Sequence, residues 1–158
     1  MTTQMTFDIT QNPDFSLLTV QLEQGEKIFA EPAAMASMDS TIKLKAGFKG
    51  GLQKAIGREL GGESMIVNTF TAESGPGEVT FAPGPMGDML HYHLTGQNLY
   101  LQRGAFVAHG DGVEISGKWE GAKGFLSGET KRNLLDNVDR YLARVLPGMD
   151  SQLVFFED

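Results

Sequence analysis

GEKIFAEPAAMASMDSTIKLKAGF, residues Gly25–Phe48, returns as GQNLYLQRGAFVAHGDGVEISGKW, residues Gly96–Trp119. The offset is constant from the first pair, Gly25 with Gly96, to the last, Phe48 with Trp119. Along it Ile28 meets Leu99, Phe29 meets Tyr100, Ala34 meets Ala105 and Met35 meets Phe106. Ile42 then meets Val113, and Leu44 meets Ile115. The match resumes at a shorter offset, where Gly62-Glu63 answers Gly128-Glu129. A repeat of this length marks a duplicated supersecondary unit. Apolar positions keep their character while polar ones drift, so what repeats is a core and not an active site.

Working outward, the flanking segments read mostly as short strands. Leu18, Val20 and Leu22 alternate with polar residues, as one face of a strand does. Lys27–Ala30, Ala33–Met38 and Thr41–Ala46 follow, then Ser64–Ala72 and Glu78–Ala82 around a Gly/Pro-rich loop expected to close a hairpin. Asp88–Leu94 and Asn98–Gln102 are joined at Thr95-Gly96. Two segments break the period. Leu52, Ala55, Ile56 and Leu60 predict a short helix near 51–60, closed by Gly61-Gly62. Leu134, Leu135, Val138, Tyr141, Leu142, Val145 and Leu146 form one apolar stripe, which predicts an amphipathic helix near 131–146. A last strand, Gln152–Phe156, carries LVFF and must be buried or paired to avoid an aggregating edge. The expected organisation is one domain over 1–158, with unit 1 at about 15–94, unit 2 at about 96–129, and a helix and strand over 130–158.

Composition narrows the function classes. The 158 residues fit one domain with a sizeable core. Twenty glycines, about twice the usual share, suit an all-β chain with many tight turns. The net charge of −7 repels phosphate backbones, and Lys131-Arg132 is too small a basic patch to bind nucleic acid. The chain has no cysteine, so disulfides and thiolate metal sites are excluded. No basic region followed by an apolar stretch opens the sequence, and no run approaches 18 apolar residues. A cytoplasmic protein without stable membrane insertion is expected.

The segments GEKIFAEPAAMASMD, GGES with MIVNTFTA, GEVTFAP and LYLQRGAFVA together resemble the altered-inheritance-of-mitochondria family and its bacterial relatives of unknown function. The likeness spans roughly residues 7 to 129, and pairs Glu31–Met35 with Asn68–Ala72 and Gln102–Phe106. The resemblance implies a TRAP-like double-stranded β-helix, self-association into homo-oligomers with a trimer favoured, and no established enzymatic activity. Members of that family usually continue into a third copy of the unit. Here Glu129 is followed by the helical stripe instead, so the helix and the LVFF strand are expected to cover the surface a third unit would cover.

One constellation carries possible chemistry. His91-Tyr92-His93 places two imidazoles on one face of a strand. Gln97 and Gly104 follow at the spacing of the cupin pattern HxH-x3-E-x6-G, and His109, opposite Met38 in the repeat, is a candidate third ligand. An amide replaces the expected carboxylate at Gln97. Alternation also puts Leu90, Tyr92 and Leu94 inside, with Met89, His91 and His93 outside, whereas a cupin metal sits within the barrel. The glycine stretches match neither phosphate-binding pattern, and no nucleophile elbow exists. The leading expectation is a non-enzymatic, self-associating structural or binding protein needing no cofactor. The alternative is a cupin-like metal-binding protein using His91, His93, Gln97 and His109.

Overall fold

The computed structural model describes residues 5–48, 62–64, 66–82, 87–102, 104–118 and 140–157. Fourteen strands account for its regular structure, and no helix occurs among the described residues. They are β1 (Thr6–Thr10), β2 (Leu17–Leu22), β3 (Lys27–Ala30), β4 (Met35–Met38), β5 (Ile42–Phe48), β6 (Gly62–Ser64) and β7 (Ile66–Ala72). The rest are β8 (Gly77–Phe81), β9 (Asp88–Leu94), β10 (Leu99–Gln102), β11 (Phe106–His109), β12 (Val113–Lys118), β13 (Arg140–Val145) and β14 (Ser151–Glu157). All-β architecture therefore stands as expected.

The strands form three antiparallel sheets. A six-stranded sheet, β5-β7-β3-β11-β14-β9, lies between two four-stranded ones, β1-β2-β8-β4 and β10-β13-β12-β6. Two apolar clusters define the layers. In one, Leu18, Val20, Val79 and Phe81 of the first outer sheet meet Ile28, Phe70, Met89 and Val154 of the central sheet. In the other, Leu101, Val113, Ile115 and Ala143 of the second outer sheet meet Phe29, Leu94, Phe106 and Leu153. Neighbouring residues of the central strands thus enter opposite cores. Both parities must then be apolar, which explains LVFF: Leu153 fills one core and Val154 the other.

Pairing repeats as the sequence does. β8 lies between β2 and β4, and β14 between β9 and β11; β7 lies between β5 and β3, and β13 between β12 and β10. Even the irregularities recur. β4 shifts register against β8 between Met35 and Ser37, and β11 shifts against β14 between Phe106 and Ala108, the equivalent positions of the repeat. Each is a bulge with one extra residue, Ala36 or Val107. The backbone bond from Asp39 N to Glu78 O is matched by Gly110 N to Gln152 O, both 2.9 Å. Glu73 N to Thr41 O is likewise matched by Leu146 N to Gly112 O. The two halves join where β3 pairs with β11, Ala30 opposite Ala108 and Phe29 opposite His109.

Two expectations are corrected. The C-terminal helix near 131–146 is absent where that segment is described: Arg140–Val145 is β13, paired on both sides, while 131–139 lie outside the described residues. Ala143, off the helical stripe, is fully buried, and Leu146, on the stripe, is 39% exposed. Over so short a span the apolar residues fit either period, and backbone pairing with β10 and β12 decides. The loop Glu73–Glu78 does not close a hairpin, because β7 belongs to the central sheet and β8 to an outer one. The helix expected near 51–60 lies outside the described residues.

Candidate functional site

β9 is the last strand of the central sheet, and its pattern departs from alternation. Met89 is 2% exposed in the first core and Leu94 fully buried in the second. Between them His91, Tyr92 and His93 are all exposed. Met89 is therefore inside rather than outside, and Tyr92, at 37% exposure, is not core. The reason is layering: each face of β9 is covered at one end only, so burial follows coverage and not parity.

Each histidine has a different setting. His91 lies against Phe7 of β1, ring centroids 4.5 Å apart. Its Nε2 also hydrogen-bonds Gln152 Oε1 of β14. His93 places Nε2 3.4 Å from Asp150 Oδ2, at a partly solvated rim. Gln97 is spent on its own turn: its Oε1 accepts from Thr95 N at 2.8 Å and Thr95 Oγ1 at 3.0 Å, and its Nε2 donates to His93 O at 3.2 Å. His109 is buried, 2% exposed, and hydrogen-bonds through Nδ1 to Gly110 O at 2.6 Å. Its ring stacks on Phe29 at 5.0 Å and is tilted against Phe106 at 5.6 Å.

His91, His93, Gln97 and His109 thus face Phe7 with Gln152, Asp150, a turn, and an aromatic core, respectively. Among the described residues no group of three or more His, Cys, Asp or Glu is placed to hold a metal ion. Beside the His93–Asp150 pair, an open hollow of about 510 Å³ runs between Thr95-Gly96 and Val145–Asp150. It offers the Asp150 carboxylate, the Thr95 hydroxyl and backbone groups. A second hollow, about 10 Å³, is apolar and lined by Met5, Phe7 and Leu18 among others. It has room for roughly one water. On the loop after β3, burial pushes the Glu31 carboxyl above its usual value of 4.5.

Phe7, Asp150 and Gln152 were not anticipated as partners of the histidines. They come from β1, the turn before β14, and β14 itself, and no local spacing links them to β9. The pairing of β14 with β9, Gln152 opposite His93, brings Asp150 and Gln152 to the histidines, whereas Phe7 reaches His91 from β1 of another sheet.

A family model described as Mitochondrial biogenesis AIM24 matches residues 7–134. An uncharacterized protein of Streptococcus pyogenes serotype M6 is 32% identical over 112 residues, covering 66% of this chain and 45% of that protein. The crystal structure of a second Streptococcus pyogenes protein superposes with a TM-score of 0.71 at 23% identity. That superposition covers 98% of this chain and 65% of the other, a likeness of fold. The chain therefore spans less than half of the curated relative and about two thirds of the solved one. Among the described residues no helix is long and apolar enough to cross a membrane.

Proposed function

This chain belongs to the Mitochondrial biogenesis AIM24 family, and from that premise we propose that it is a non-enzymatic, self-associating structural or binding protein. The observation that carries the reading is the β3–β11 ladder, by which one duplicated half adds its sheet edge to the next. A unit built to join its like by strand pairing is suited to assembly into larger arrays. In place of the expected units at about 15–94 and 96–129, we take the units to be β2–β8 and β9–β14 within one domain, because β9 beside β14 occupies the place of β2 beside β8, and the fold to be of the TRAP-like double-stranded β-helix type that the resemblance implies. A cytoplasmic homotrimer is the favoured form. Light scattering at micromolar concentration tests it: a mass of three copies is expected, and a monomer overturns self-association.

A further inference from the structure

The duplication leaves two strands, the counterparts of the pair that joins the halves, at sheet ends among the described residues. Inside the chain, the β3-type strand of the first half pairs with the β4-type strand of the second, which is β11. The counterpart of β3 in the second half is β10, and it ends its sheet in the order β10-β13-β12-β6. The counterpart of β11 in the first half is β4, and it ends the order β1-β2-β8-β4. We propose that β10 of one copy of this chain pairs with β4 of a second copy, repeating between chains the joint that β3 and β11 make within one. The inference rests on the self-association reading and names the surface and the register through which it operates.

Register follows from the equivalences. β3 and β10 correspond at the offset of the repeat, since Ile28 faces Phe70 in β7 as Leu99 faces Ala143 in β13. β4 and β11 correspond at the same offset through their shared bulge. Ala30 opposite Ala108 then becomes Leu101 opposite the partner's Ser37, and Phe29 opposite His109 becomes Tyr100 opposite the partner's Met38. The backbone bond from Glu31 N to Val107 O at 2.9 Å becomes one from Gln102 N to the partner's Ala36 O.

The side chains at this register support the pairing. Met38 is 40% exposed and Tyr100 50% exposed, large apolar side chains that stay partly accessible. Each stands at the position whose equivalent is buried at the internal joint, His109 at 2% and Phe29 at 7%. A thioether against a phenol ring replaces an imidazole against a phenyl ring, a favourable contact of sulfur with an aromatic edge. The joined sheet would run β6-β12-β13-β10-β4-β8-β2-β1 across two chains. Because the two surfaces differ, the contact is heterologous: it closes into a ring or extends as a filament, according to the turn at each joint.

The absence of cysteine makes the register testable directly. Met38→Cys and Tyr100→Cys are made as separate variants of the full 158-residue chain and oxidised mildly, alone and mixed. The expected result is a disulfide-linked dimer in the mixture and none with either variant alone. An isologous contact, β4 on β4 or β10 on β10, would link one variant to itself and overturn the proposal. An oligomeric mass with no cross-link in the mixture overturns the register while leaving self-association intact. A monomeric mass without cross-link overturns both. A monomer whose β4 and β10 amides resist hydrogen exchange would give those edges to another segment of the same chain, and also overturns it. Met38→Lys and Tyr100→Lys, one on each surface, are each expected to lower the mass to that of a monomer with thermal unfolding retained.

Discussion

Phe29 stacks on His109 with ring centroids 5.0 Å apart and planes inclined by 20°, and these two residues face each other across the ladder that unites the two halves. Their coupling is measurable. Phe29→Ala is expected to destabilise by about 3–5 kcal/mol, as for a phenyl ring removed from a core. A double-mutant cycle with His109→Ala should return a coupling of roughly 0.5–1.5 kcal/mol, the range of aromatic pairs. Urea unfolding of the four proteins gives the number, and additivity within error would show that the stack contributes nothing of its own.

Phe70 and Phe81 make the corresponding contact between layers, edge to face with centroids 5.3 Å apart, and both are fully buried. Phe70→Ala is expected to cost about 3–5 kcal/mol. Leu44→Ala, at the position paired with Phe70 in β5 but 38% exposed, should cost less than about 1.5 kcal/mol. Equal losses in the two variants would contradict the layer assignment.

Gly77 opens β8 with no room for a side chain: an added Cβ would stand 2.3 Å from Thr41 Oγ1 and 2.9 Å from Ile42 Cδ1. Thr41 Oγ1 is itself engaged with Pro76 O at 3.0 Å. Gly77→Ala should therefore destabilise by about 1–3 kcal/mol through overpacking. Gly96, with nothing within 4 Å but φ at +138°, should lose stability on Gly96→Ala through backbone strain alone. Crystal structures of the two variants would distinguish displaced neighbours from a reshaped turn.

Glu31 carries a pH dependence of definite sign. Burial raises its folded-state pKa above the unfolded value of 4.5, so its contribution to stability is present below that value and is lost as pH rises through the folded pKa. Glu31→Gln should stabilise the protein at neutral pH and change little at acid pH. The second half carries Gln102 at the equivalent position. Thermal unfolding of both proteins from acid to neutral pH checks the trend; a variant less stable than the parent at neutral pH would refute it.

The histidines give the last prediction. With His91 and His93 on separate partners, His91→Ala/His93→Ala is expected to leave metal content unchanged and substoichiometric by elemental analysis. Asp150→Asn should shift stability by no more than about 1 kcal/mol, since its contact with His93 is partly exposed on both sides. A stoichiometric transition metal lost from the double variant would restore the cupin-like reading.

Much of the first half was legible because local pattern and environment agree there. In β2 the alternating Leu18, Val20 and Leu22 are the buried residues. β3 occupies Lys27–Ala30, the span that its apolar run marked. Legibility failed where neighbours supply the decisive term. Arg140–Val145 carries too few apolar residues to separate a 3.6 period from a strand, and β10 and β12 settle it by pairing. In β9, Met89 is buried and Tyr92 exposed because the covering layers end partway along the strand. Of the candidate site, the sequence marked the histidines but not Phe7, Asp150 or Gln152: the β9–β14 ladder brings Asp150 and Gln152, and packing of β1 from an outer sheet brings Phe7.

By itself, then, the order of amino acids determined an all-β chain, its internal duplication, and the apolar character of each repeated core position. These are local properties, carried by side-chain size and polarity along a few residues. Only the tertiary structure decided that β13 and β14 complete the second half, that β3, β11 and β14 of the central sheet are buried on both faces, and that β4 and β10 end their sheets among the described residues. Strand pairing is bonded through the backbone, which every residue shares, so its choice of partner is written in the assembled layers and not in any one segment.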